Sequence, residues 1–460
     1  MATNTVGLAI EQVCLCCKET TKGTAVYPTA AAELVIGAGS VDINQQPGYS
    51  NSEEVANSLD VLDRFQDQVG AGTFKIPTYV RPSGTAGTAP MADVLYESLM
   101  GVGTNVVGTS EAYSQATTKP SFTLWVKKGH TVFFGTGACV DSGAFNFTNK
   151  GACKIDFSGG FMQMGWAGTC SAASATANGT GENFLVDEAE NYASGATTIH
   201  VDTGGETTIL VGDCITFAED ATVYFVETSD ITAGEGDITI ASPGLTGSLA
   251  DGVAMTITGN RLITVVDGQK FTAGGRVRIA ADNNSKAGYT ISSVSGNVLS
   301  MAEAVTCANA AVIAGYLDET LTAGGSPLES KSTTITFDAV ATNLKSLSLT
   351  ISSPVVYQVD EITTSGYPEA YIEDTRNIEG SADLLFREND MGLFYDGLNN
   401  VSVAAVITLG TAAGSICTIG LPQTELEVPN VTTSKPTISL TSKFTALGST
   451  GEDSATITFT

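Results

Sequence analysis

The chain has 460 residues, with 21 Lys and Arg against 49 Asp and Glu and a formal net charge of −28. That balance disfavours nucleic-acid affinity through phosphate neutralisation, and it leaves two readings of the acid: a soluble surface that keeps copies apart, or an acidic wall beside a passage for a polyanion. The length exceeds one ordinary core, and abundant Gly, Thr, Ala and Ser with short Val and Ile runs points to a mainly β fold with few helices.

Residues 7–18 and 31–43 read as strands on either side of a turn-rich segment. The polar stretch from Asn44 to Gly72 has no strong period and reads as a long loop leading into a strand over 73–80. A breaker segment, Arg81 to Pro90, delivers the chain into a short helix in which Met91, Val94, Leu95 and Leu99 share a face, with Pro90 in the first turn. Ser121 to Met162 then reads as consecutive antiparallel strands. Its pattern returns from Ser402 to Leu447: Phe145 and Phe147, then Ile155, Phe157 and Phe161, correspond to Leu426 and Val428, then Ile438, Leu440 and Phe444. A second short helix precedes that copy, with Met391, Phe394, Tyr395 and Leu398 on one face and Asn389 or Asp390 placed to cap it. Between the copies lie two small β modules of similar order. The expected organisation is a large domain over 1–172, a linker over 173–195, modules over 196–258 and 259–317, a linker over 318–332, and a second large domain over 333–460. Each large domain is expected as a β-sandwich or barrel with one short helix.

Enzyme signatures are mostly absent, and no cofactor or metal is expected. There are two histidines, His130 in a turn and His200, and no nucleophile elbow, P-loop, zinc-protease or EF-hand pattern occurs. Cys14 and Cys17 form a C-x-x-C, but on a strand Cys14 and Cys16 face one side and Cys17 the other, which does not converge on a metal. The nine cysteines are an odd number and are expected as buried, reduced thiols. The first residues lack a basic segment followed by an apolar one, and no apolar run reaches roughly 18 residues, so synthesis in a cytoplasm is expected.

The order of parts resembles that of long-tailed (siphovirus) phage tail tube proteins with a duplicated tube domain. The resemblance rests on the pre-helix turn Ser83 to Pro90, the closing hairpin Ser415 to Leu447, and a G-D-x-I-T-F module segment, Gly212 to Phe217. It implies a structural subunit of the virion tail. Three copies would form a ring of pseudo-sixfold symmetry, and stacked rings would conduct DNA during ejection, with a tape-measure protein, a terminator and tail-tip proteins as partners. It also implies that acids on the wet face of the closing hairpins line the channel and repel phosphate: Glu425 and Glu427, alternating with Leu426 and Val428, and in the first copy Asp141 and Asp156. A receptor-binding or adhesin-like β protein, a polysaccharide-processing enzyme, and a surface-layer or decoration subunit are the rival readings.

Overall fold

The computed structural model describes residues 11–29, 33–54, 60–179, 184–187, 191–202, 208–231, 234–280, 288–318, 324–342, 344–359, 365–387, 390–434 and 437–460. The fold is mainly β, as expected, with two α-helices among the described residues. Its first third holds β1 (Gln12–Lys18), β2 (Leu34–Val35), β3 (Asp42–Asn44), β4 (Pro47–Asn51), β5 (Arg64–Val69), β6 (Gly72–Tyr79), α1 (Asp93–Met100), β7 (Gly101–Val106), β8 (Ser110–Gln115), β9 (Phe122–Lys128), β10 (Thr131–Thr148) and β11 (Lys154–Phe161). The middle holds β12 (Gln163–Ala167), β13 (Thr169–Ser171), β14 (Phe184–Val186), β15 (Thr198–Asp202), β16 (Asp213–Phe217), β17 (Asp220–Ser229), β18 (Glu235–Ile240), β19 (Ala254–Thr264), β20 (Arg276–Ile279), β21 (Tyr289–Ser295), β22 (Val298–Val305) and β23 (Val312–Gly315). The last third holds β24 (Thr334–Phe337), β25 (Val340–Thr342), β26 (Leu344–Ser352), β27 (Val355–Tyr357), β28 (Tyr371–Glu373), β29 (Asn377–Leu385), α2 (Met391–Asn399), β30 (Ser402–Leu409), β31 (Cys417–Leu426), β32 (Asn430–Ser434), β33 (Thr437–Leu447) and β34 (Thr456–Phe459).

Contacts divide the chain into two compact units, Met1–Gly129 with Phe133–Met164 and Asp318–Thr460, and His130–Val132 with Gly165–Leu317. The first unit carries one topology twice. In the first half β1 pairs with β2 and β9, and β3–β6–β11–β10 form a sheet. In the second half β24 pairs with β25 and β30, and β26–β29–β33–β32 form the matching sheet. A separate hairpin, β4–β5 in one half and β27–β28 in the other, is inserted at the same place, and a helix follows at the same place. Even a detail of the strands is repeated. Gly72 opposes Phe161 and Gly380 opposes Phe444, and a Cβ on either glycine would fall under 3.0 Å from three atoms of the facing ring. Each half also has one surplus residue in the long strand opposite β11 or β33, at Asp141 in one and between Leu426 and Asn430 in the other, so both bulge at the same point.

Ile155, Phe157 and Phe161 therefore do hold the places of Ile438, Leu440 and Phe444. Phe145 does not match Leu426: it opposes Ile155 as Thr433 opposes Ile438. The stretch after Asn44, expected as a loop, contains the hairpin β4–β5. Pro90 lies upstream of α1, which starts at Asp93, and Asp390 makes no side-chain cap to α2; its carboxylate accepts instead from Arg387 N at 2.9 Å. Asn389 lies outside the described residues.

The two halves share one core. Alternation sends Phe145, Phe157, Leu349, Ile378 and Leu440 inward, and these pack together with residues of α1 and of β24, β30 and β31. The halves are joined by β10 pairing with β26, Ser142 opposite Ser352 through Thr148 opposite Ser346. The result is one antiparallel sheet of eight strands in the order β3–β6–β11–β10–β26–β29–β33–β32, part of a sheet system that closes into a barrel. Residues 324–332, expected as linker, are tied into this unit: Leu328 N donates to Val80 O, and Cys153 N donates to Leu328 O, both at 2.9 Å.

The second unit is an eleven-stranded sheet with two separate apolar clusters, one around Ile199, Ile215 and Ile238, the other around Ile263, Ile291 and Ile313. The expected boundary at 258/259 falls inside β19, which pairs with β14 and β16 on the first module's side and with β22 on the second's. Residues 172–179, thin in composition and expected as linker, are laced to this unit through Ala172 N, Ala173 N and Thr176 N, which donate to Ala311, Thr264 and Cys307 oxygens. Gly179 N donates to the buried carboxylate of Asp213, which also accepts from Leu210 N at 2.7 Å and from the Asn260 amide at 2.9 Å.

Candidate functional site

The eight-strand sheet has two faces. One is the core; the other carries the alternate residues, which are Ser142, Asn146, Ser348, Thr350, Ser381, Thr441 and their like, with few charges. The charges are mixed: Asp42, Asp156, Glu379 and Asp383 stand beside Lys75, Lys154 and Lys443. Asp156 pairs with Lys75 at 3.3 Å, and Asp383 accepts from the hydroxyls of Ser346 at 3.0 Å and Thr441 at 2.6 Å. This face is thus rich in hydroxyls and close to neutral, rather than a row of bare carboxylates.

Of the four acids singled out in the sequence, Asp156 lies on this face, in the ion pair just described, and Glu425 and Glu427, on either side of the inward Leu426, lie on its continuation past the second bulge. Asp141 sits at the bulge of β10 and is turned to the joint between the halves. Its carboxylate accepts from Val355 N at 3.1 Å, its carbonyl accepts from Ser353 N at 2.7 Å, and burial raises its pKa above the ordinary carboxylate value. Glu425 is half-buried at the end of β31 and accepts from the Asn400 amide at 3.3 Å; Glu427 is exposed at the second bulge, where its backbone N donates to Lys443 O at 2.8 Å. No hydrogen bond joins any of these carboxylates to another.

The two ends of the eight-strand sheet are open. Among the described residues β3 pairs only with β6, and β32 only with β33. An unpaired strand edge is a row of free N–H and C=O groups, and a native protein normally protects it. The repeat identifies what each edge lacks. By register, β32 stands where β10 stands in the first half, and β10 carries β26 on the corresponding edge; β3 stands where β26 stands. Each open edge is therefore the counterpart of a partner strand already used inside the chain.

That internal joint shows how such a seam is finished. Lys119, buried, donates its ammonium to Val140 O on one side and Ser353 O on the other. Burial lowers its pKa to about 8, against Cys139 and Asp141, which favour the charge. The hairpin β27–β28 of the second half lies on the first: Tyr357 donates to Gly137 O and Tyr371 to Lys119 O, each at 3.0 Å. Sequence reasoning missed Lys119 and both tyrosines, because a lone Lys before a strand and aromatics in a short hairpin carry no local signature.

Other chemistry-bearing groups are less organised. All nine cysteines are buried, and burial pushes up the thiols of Cys16, Cys17, Cys139, Cys153, Cys214 and Cys417, which suits inert core residues. His130 is exposed in its turn. In the second unit Asp187, His200 and Glu235 bring ligand-type atoms within 4.8 Å of one another, both carboxylates exposed, and His200 Nδ1 lies 2.7 Å from Asp237. A cavity of about 340 Å³ in the first unit, near Thr148, Lys331 and Lys345, has no carboxylate, thiol or imidazole in its lining. No family model matches the chain, and no curated protein matches it.

Proposed function

We propose that this chain is the structural subunit of a phage tail tube, closing with two further copies into a ring whose interior passes DNA. The observation that carries the reading is the eight-strand sheet with two open, complementary edges and a worked example of their union inside the same chain. Strand addition at both ends removes the exposed edges, and a sheet closed this way must form a barrel. Three copies would give about 24 strands and a backbone diameter of about 45 Å. The hydroxyl-rich face would then line the bore, and its paired charges would give passing phosphates little to bind. Rings stacked head to tail would grow as an open filament, so a tape-measure protein, a terminator and tail-tip proteins would set its length and ends. The role is assembly in the virion tail; no reaction and no cofactor is part of the reading.

The internal joint also fixes a register. Transferred to the open edges, it would set Asn44 of one copy opposite Ser434 of the next, as Ser348 stands opposite Asn146. A chain carrying Asn44→Cys and Ser434→Cys is expected to cross-link on mild oxidation into closed trimers visible as rings by negative-stain microscopy, with each single variant staying uncross-linked. Isolated monomers at every concentration would overturn the reading and favour the adhesin-like alternative.

A further inference from the structure

We propose that Asp187, His200 and Glu235 form a site for one divalent first-row cation, Zn²⁺ or Mn²⁺, on the exposed face of the second unit, with Asp237 orienting the histidine. The site owes nothing to the ring reading and stands or falls apart from it.

Three neighbouring strands build it. β15 lies between β14 and β18, with Val201 opposite Val186 on one side and His200 opposite Asp237 on the other. Asp187, the residue after β14, donates its backbone N to His200 O at 3.0 Å, so it continues the first pairing and stands beside His200. Alternation sends Val186, Ile199, Val201 and Ile238 into the apolar cluster beneath. The same alternation leaves Asp187, His200 and Asp237 in one row on the opposite face, with Glu235 two residues before Asp237 on the same side. Asp187, His200 and Glu235 each bring a ligand-type atom within 4.8 Å of the other two. These residues come from distant parts of the chain, so no ligand spacing announces them.

Exposed acids alone would carry no such meaning; the histidine changes the chemistry. His200 Nδ1 lies 2.7 Å from Asp237 Oδ1. A proton held in that contact leaves the lone pair of the neutral ring on Nε2, which is how a carboxylate behind a metal-bound imidazole fixes its tautomer and its direction. The backbone holds the residue as well, since His200 N donates to the Tyr192 hydroxyl at 2.7 Å. Strands β14, β15 and β18 contain no Lys or Arg, and among the described residues none makes an ion pair with Asp187, Glu235 or Asp237. Three carboxylates therefore gather round one imidazole with no basic side chain paired to them, a charge that a dication would balance. One nitrogen with two carboxylates suits Zn²⁺ or Mn²⁺, whereas Mg²⁺ and Ca²⁺ take oxygen ligands. Ligand atoms round a tetrahedral Zn²⁺ stand about 3.4 Å apart, so the two exposed carboxylates would turn inward by roughly 1 Å, and water would complete the coordination. The bound ion would clip the short β14 and the start of β18 to β15.

The full chain has two histidines, so labelling its imidazole rings gives two NMR signals, one of them, from His130, an internal control. Substoichiometric Mn²⁺ is expected to broaden the His200 signal at least tenfold more than that of His130. Titration of the full chain with Zn²⁺, followed by calorimetry, is expected to show one site, weakened at least tenfold in the double variant Asp187→Asn with Glu235→Gln and unmoved by excess Mg²⁺. In Asp237→Asn the neutral His200 ring is expected to lose its single tautomer in ¹⁵N spectra and to bind Zn²⁺ at least tenfold more weakly. An unchanged tautomer would overturn the part given to Asp237. Equal broadening of both rings, broadening of neither, or Zn²⁺ affinity that survives the double change would overturn the site. The Mn²⁺ measurement uses the unaltered chain and so decides the matter even where a variant misfolds.

Discussion

Replacing Gly72 by Ala should destabilise the first unit by about 1 kcal/mol, and Gly380→Ala should do the same. In each half the outer atoms of the Phe ring lie against the glycine of the neighbouring strand, and the added methyl would meet three of them under 3.0 Å. Phe161 and Phe444 are both buried, so neither ring can swing into solvent. A ring forced back by more than about 1 Å into a close-packed core costs typically 1–3 kcal/mol, offset by roughly 0.5–1 kcal/mol from the smaller backbone entropy of Ala in the unfolded chain. Urea denaturation of the dispersed protein, followed by far-UV circular dichroism, measures the difference. The decisive control is the double variant Gly72→Ala with Phe161→Leu, in which the smaller side chain vacates the space. It should be more stable than the sum of its two single changes predicts, by about 1 kcal/mol or more. A neutral or stabilising Gly72→Ala would refute the ring-over-glycine geometry, and a large response in only one half would refute the equivalence of the two.

Two further outcomes follow from the titrating groups. Lys119 has a folded pKa of about 8, below its unfolded value of about 10.5, so between those values the unfolded chain holds the extra proton and stability rises with pH; this contribution is lost as pH falls through 8. The stability of the parent relative to Lys119→Met should therefore grow by about 3 kcal/mol from pH 7.5 to 10.5 in parallel denaturation series, and a flat difference would show the ammonium to be well solvated. In the second unit, the hydrogen bond that His200 Nδ1 donates to the Asp237 carboxylate raises the pKa of His200, a partly exposed ring. Its small stabilising contribution is present below the ordinary His value and fades as pH rises through the raised one. Asp237→Asn should bring the His200 titration, read by NMR, back down, and an unmoved pKa would exclude the contact.

Periodicity made the β class and much of the duplication readable. Ile155, Phe157 and Phe161 alternate as Ile438, Leu440 and Phe444 do, and strand alternation survives divergence because a one-residue slip would turn every core residue outward. The same reasoning misplaced Phe145, because Leu426 precedes the bulge and Phe145 follows it; the second half has Thr433 in the place of Phe145 and Val431 in that of Gly143. Helix periodicity correctly grouped Tyr395 and Leu398 but implied burial, whereas burial depends on which neighbour arrives. The hairpin β4–β5 was invisible because its residues face water on both sides and so show no alternation. The acids were hardest to place. Asp141 and Glu427 look alike as isolated carboxylates in a row of strands, yet the bulge turns one into a joint and leaves the other outside.

The seam between β10 and β26 is covalently tethered, since both strands belong to one polypeptide. Its formation is consequently independent of dilution, and a copy leaves folding with that contact already made. In the proposed ring only one kind of union would then be left to collision, which would halve the number of encounters needed to close a given circumference and confine regulation by concentration to a single place. One polypeptide also releases the paired halves from having to be identical, so Gly397 can stand where Ser98 stands, and each half can specialise without disturbing the other.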